Sequence, residues 1–415
     1  MSIHPLARRL TAALPRFIPL TPTPIRVMSS FTQNPHKLLV IPGPIEFSDP
    51  VLEANATPGT SHVSPAFIPV FGDCLRKLRK VLYAESQGTQ PFLIAGSGTL
   101  GWDAAAANLV EAGEEVVVLK TGYFGDSFEE CLKSYGAKTT AVLAEIGGVP
   151  TDEQIIKALE SKPKLITITH VDTSTGVLSP AAHIASLVKK HSPDTLIALD
   201  AVCSVASEEI RFDDWGLDIV ISATQKGIGA PPGLSVVMAS ARAIKTFEGR
   251  KTPVPAYYIS WKNWLPIMRA YEEGRAAYFA TPPVQLVYAL QAALNAIVEG
   301  KQSLEERFAA HKAASNKFKD AMASLGFDFV PLSREVAANG MSAVKFPKGL
   351  TAADIVPKLA EKDIVVAGGL HKAIATTYFR VGHMGITAVE EQRGDVDKII
   401  KGIKEVLAEK GWQRD

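Results

Sequence analysis

The sequence predicts an α/β protein: a large domain built on a doubly wound, mostly parallel sheet, followed by a smaller C-terminal α+β domain. Three observations predict it. From Phe92 onward, short strands that are apolar throughout alternate with amphipathic segments, as in a parallel sheet covered on both faces. A stretch rich in aromatics and prolines, weak in periodicity, interrupts that alternation at residues 250–283. Beyond it come two long helical segments, then a mixture of strands and helices.

In order, the strands read FLIAG, EVVVLK, KTTAVLA, KLITITHV, TLIALD, DIVISAT and LSVVMAS, with helical segments at 126–135, 152–160 and 180–191. The last two strands, around 218–238, follow one another too closely for a helical crossover. Helices are expected over 284–300 and 304–325. FDFVP, SAVKF, the helix TAADIVPKLAEK, the strand TTYFRVGH and a final helix over 389–410 complete the small unit. The expected division is an extension over 1–36, a large domain over 37–300 and a small domain over 301–415.

Bulk properties narrow the function. The 415 residues carry a formal net charge of +1, which argues for neither a nucleic-acid nor a membrane-surface partner. Cys74, Cys131 and Cys203 are widely spaced, so neither a disulfide framework nor a thiolate zinc site is expected. No apolar run approaches a membrane span. The first 36 residues hold Arg8, Arg9, Arg16 and Arg26 and no acid, the composition of a mitochondrial presequence. Translation from Met28 would give a cytoplasmic form, and GWQRD is not a peroxisomal tripeptide.

The segment FLIAGSGTLGWDAAAANLV places Gly96, Gly98 and Gly101 between a strand and a helix. A dinucleotide-binding loop also needs an acid about 20 positions on, at the end of the next strand. That place holds Lys120 and Thr121, which weighs against a nucleotide-dependent oxidoreductase. The loop still offers backbone N–H groups and a positive dipole end to an anion. Other strand ends offer Asp172 to Thr175, then Asp200, then Lys226 within SATQKGIGAPPG. An anion cradle, a carboxylate and a lysine in one crevice suit pyridoxal phosphate: a seat for its phosphate, an acid for its ring nitrogen and an amine for an imine.

SATQKGIGAPPG resembles the lysine loop of the class V aminotransferases, particularly the alanine–glyoxylate and serine–pyruvate branch. VIPGP at 40–44, AGSGTLGWDAA, THVDTSTGVLSP and LDAVCS are similar to that family's other motifs, in order, from about Lys37 to the C-terminus. The resemblance implies aminotransferase fold type I, a homodimer, and transamination from alanine, or serine, to glyoxylate, giving glycine and pyruvate in the alanine case. It also implies roles. Lys226 would form the imine and carry the proton, and Asp200 would pair with the ring nitrogen, with Val202 lining the cofactor. Ser97, Gly98, Thr99 and Gln225 would hold the phosphate end. Thr173 would reach the phenolic oxygen. Phe124 would stack on the ring, with Tyr123 as its substitute. Tyr278 and Thr281 would reach the neighbouring subunit's phosphate. Arg380 would clamp the substrate carboxylate, and the Gly43 backbone would approach the substrate. His170, His383 and Trp102 are expected to pack structurally. A cysteine desulfurase of similar fold is disfavoured, since Gln225 stands before the lysine and no cysteine follows Cys203.

Overall fold

The computed structural model describes residues 31–412. The targeting reading falls on residues 1–36, of which 1–30 lie outside the described residues. The chain begins with strand β1 (Leu38–Leu39) and helices α1 (Asp49–Asn55) and α2 (Phe67–Leu82). The alternation then runs β2 (Gln90–Ala95), α3 (Gly98–Leu109), β3 (Glu115–Lys120), α4 (Tyr123–Ser134), β4 (Lys138–Leu143), α5 (Asp152–Leu159) and β5 (Leu165–Thr169). A small hairpin, β6 (Val171–Asp172) and β7 (Val177–Leu178), precedes α6 (Ala181–His191) and β8 (Leu196–Asp200). After α7 (Phe212–Trp215) come β9 (Ile219–Ala223) and β10 (Leu234–Ala239).

Seven of these strands form one sheet, in the order β2-β10-β9-β8-β5-β3-β4. The pairs from β9 to β4 are all parallel. β10 runs antiparallel to β9 and β2, as the short 218–238 connection demands. Every residue of β5 and β8 is buried, because helices cover both faces. β4, at the edge, has a mixed sequence and partial exposure instead.

Helices α8 (Ala241–Glu248), α9 (Trp261–Glu272) and α10 (Val284–Val298) follow. The weak periodicity read at 250–283 is corrected here: α9 buries Trp261, Trp264, Leu265, Met268 and Tyr271, the spacing of one helical face, with Pro266 inside. Trp261 stacks on Phe92 of β2, ring centroids 5.0 Å apart.

Helix α11 (Leu304–Ser324) opens on a capping box between Ser303 and Glu306. It leads to β11 (Met341–Lys345), α12 (Ala352–Glu361), β12 (Ile364–Val365), β13 (Ala367–Gly368), β14 (Tyr378–Gly382), α13 (Ile386–Val389) and α14 (Asp395–Glu409). Phe329, in the expected strand FDFVP, makes only an isolated bridge to Val344. The helix expected over 389–410 begins only at Asp395, because Gly394 before it adopts a left-handed φ of 67°.

This second unit has its own core, with Phe318, Leu359, Phe379, Val381 and Ile399 at its centre. Leu38 and Val40 belong to that core, and β1 pairs with β12. The Gly382 N–H donates to the Val40 carbonyl at 2.8 Å. The chain then crosses at once to the large sheet, where Ile45 N–H meets the Gln225 carbonyl at 3.3 Å. No helix among the described residues is long and apolar enough to cross a membrane.

Candidate active site

A cavity of about 240 Å³ opens where β8 and β9 end and α3 begins. Ser97, Gly98, Thr99, Asp200, Val202, Gln225 and Lys226 line it, with Gly43, Phe124 and Thr173. Trp102, Val171 and Cys203 also line it.

At one end, Ser97 is in extended backbone and Gly98 starts α3, with no side chain capping the helix. Its first-turn N–H groups face an anion position. The Ser97 and Thr99 hydroxyls bond one another beside it. A Cβ at Gly98 would lie 2.6 Å from Val202 Cγ2, so only glycine lets helix and strand end approach this closely.

Asp200, the last residue of β8, is buried. Its Oδ1 accepts from the Val202 N–H at 3.0 Å, and its Oδ2 from the Trp102 indole N–H at 2.9 Å. Burial pushes the carboxyl up to about 6, against the pull of those two donors. The expectation that Trp102 packs structurally is therefore incomplete: it stacks on Phe128, but its N–H serves the carboxylate.

Lys226 lies on the loop after β9 and is 8% exposed. Its Nζ donates to the Pro42 carbonyl. Burial lowers its pKa, with nearby Arg380 acting the same way and Cys203 and Asp200 opposing. The following peptide is pinned from the small unit: the buried Arg307 donates to the carbonyls of Gly227 and Ala206, each at 2.8 Å.

Asp172 builds the opposite wall. Its carboxylate accepts from the N–H groups of Phe124 and Gly125, at 3.2 and 3.4 Å, and from Ser174 Oγ at 2.5 Å. The start of α4, and with it Phe124, is thus held against the hairpin. Tyr378 ties the small unit to this wall. Its hydroxyl donates to the Ser174 carbonyl and accepts from the Leu370 and His371 N–H groups, each at 2.9 Å. Arg380 does not line the cavity itself. Its Nε donates to the Gly368 carbonyl at 2.7 Å and its Nη1 to the Thr173 carbonyl at 3.2 Å, which places the guanidinium at the rim.

Residues 50–389 match the family described as Aminotransferase class-V. The chain belongs to that family. A relative, alanine–glyoxylate aminotransferase 1 of Saccharomyces cerevisiae, is 41% identical over 361 residues, 84% of this chain and 92% of its own. The serine–glyoxylate aminotransferase of Arabidopsis thaliana is 28% identical over 352 residues, 84% of this chain and 85% of its own. Among solved structures, that of an alanine–glyoxylate aminotransferase from Nostoc sp. has a TM-score of 0.82 at 29% identity, over 92% of this chain and 98% of that one. The protein is a class V aminotransferase of fold type I. The oxidoreductase alternative is not favoured. At the end of β3, where a ribose-binding acid belongs, Lys120 pairs with Asp126 at 2.6 Å and Glu129 at 2.9 Å.

In this aminotransferase Tyr278 and Thr281 do not line the cavity; Tyr278 is 61% exposed and its hydroxyl lies 3.4 Å from Thr281 Oγ1. His170 and His383 are buried, bonded to Ser204 at 3.0 Å and Ser342 at 2.9 Å, as structural histidines are. Gly43 adopts a φ of 105°, and a Cβ there would lie 2.4 Å from Lys226 Cδ. Gly43→Ala combines about 1–3 kcal/mol of backbone strain with displacement of the lysine, so turnover should fall about tenfold or more. Steady-state assay beside a melting curve checks this; unchanged turnover contradicts it.

Proposed function

We propose that the protein uses pyridoxal phosphate to transfer the amino group of alanine to glyoxylate, giving pyruvate and glycine. Serine is a second donor on this reading. The observation that carries it is the convergence of Lys226 and Asp200, both buried, on one cavity whose far end is a helix N-terminus. The residues present fit that cofactor. Gly98 and the Ser97 and Thr99 hydroxyls suit a phosphate, with Gln225 beside them. The oriented carboxylate of Asp200 suits a protonated ring nitrogen, Thr173 the phenolic oxygen, and Phe124 one ring face. When bound, the cofactor supplies an aldehyde and an electron-withdrawing ring.

The chain's own residues do the rest. The Lys226 amine, whose pKa burial lowers, is a nucleophile and then moves a proton to and from the substrate α-carbon. Asp200 stays ionised to hold positive charge at the ring nitrogen. Arg380, oriented by Gly368 and Thr173, keeps further donors for the substrate carboxylate. The exposed aromatics Tyr257 and Tyr278 support a homodimer in which Tyr278 and Thr281 complete the partner's phosphate site. The basic, acid-free composition of residues 1–36 supports a mitochondrial destination.

A spectral titration tests the reading. Protein loaded with pyridoxal phosphate should show a visible band that alanine bleaches and glyoxylate restores. Protein that stays colourless with added cofactor refutes it, and bleaching by serine but not alanine assigns serine as the donor.

A further inference from the structure

We propose that Trp102 is a positioning residue for Asp200: its indole N–H holds one carboxylate oxygen so that the ionised acid faces the cofactor's ring nitrogen. This rests on the pyridoxal-phosphate reading above.

Helix α3 carries both relevant residues. Gly98 is its first residue, and Trp102 follows four positions later, on the same face about 6 Å along the axis. One rigid element therefore addresses both the anion end of the cavity and the acid at its floor. The indole is held from behind by Phe128, whose ring is stacked on it at 5.4 Å and 13°. The Phe124 ring flanks it at 6.4 Å.

Packing alone does not require an indole, because a phenyl ring can also stack on Phe128. What the indole adds is a donor that cannot accept. It bonds Oδ2 at 2.9 Å while the Val202 N–H bonds Oδ1 at 3.0 Å. A carboxylate offers about four acceptor directions, so these two contacts fix its plane and leave room on each oxygen for a further partner. Both donors favour the ionised form against burial. Among the charged groups around Asp200, Lys226 also favours ionisation and Asp172 opposes it, while the Cys203 thiol stands close by. The indole is the neutral side-chain donor in this set, so its removal leaves the net charge of the pocket unchanged.

Two variants separate the N–H from the ring. Trp102→Phe keeps an aromatic ring. Incorporation of 3-benzothienylalanine at position 102 keeps the indole shape and replaces the N–H by sulfur. In cofactor-free protein, carbon NMR of labelled aspartate follows the Asp200 midpoint; separately, the dissociation constant for pyridoxal phosphate is measured. Both variants should raise the midpoint by about one pH unit and weaken cofactor binding about tenfold. If the benzothienyl variant matches the unsubstituted protein while Trp102→Phe does not, the ring's shape is what matters and the proposal is overturned. An unmoved midpoint in both variants overturns it too. Failure of the unsubstituted protein to take up pyridoxal phosphate instead overturns the cofactor reading, and the orienting role with it.

Discussion

Lys226→Ala protein is expected to fold, bind cofactor and lose at least about 10⁴-fold in steady-state turnover of alanine with glyoxylate, because nucleophile and proton carrier disappear together. The residue sits in a cavity otherwise lined by hydroxyls, a thiol, an amide, a carboxylate and apolar groups, so no second amine there replaces it. Truncation also removes an ammonium that burial disfavours, so the melting temperature should hold or rise. Residual turnover within tenfold of the parent would reject Lys226 as the reacting amine.

The second large effect is expected at Arg380. Arg380→Ala should lower kcat/KM by about 10²–10³-fold for alanine, serine and glyoxylate alike, since one member of a charged pair is lost. What these substrates share is the carboxylate. Arg380→Lys should recover only part of the loss, because an ammonium cannot keep the Gly368 and Thr173 carbonyls while presenting a fork to substrate. A loss confined to one substrate would move the clamp elsewhere.

The parallel sheet is legible in the sequence because β5 (LITIT) has no charged residue and β8 (LIALD) only its terminal Asp200, a pattern that a half-exposed sheet or a surface helix does not produce. The site is legible because its polar residues stand at strand ends, where open sheets bind ligands. Trp102 is not, for a physical reason. An aromatic residue one turn into a helix reads as packing, and nothing local shows where its N–H points. Asp172 reads only as a strand-end acid, since its partners at Phe124 and Gly125 are far away in sequence. Helix α9 is obscured by Pro266, and β1 is too short to carry any periodicity.

That short strand has a mechanical implication. Residues 41–45 run from a ladder in the small unit to a hydrogen bond on the lysine loop, and the Pro42 carbonyl on the way receives the Lys226 ammonium. The amine is thus tethered to a cord whose far end belongs to the other unit. A tilt of one unit against the other would tug on that cord and alter the grip on the amine without touching its own backbone.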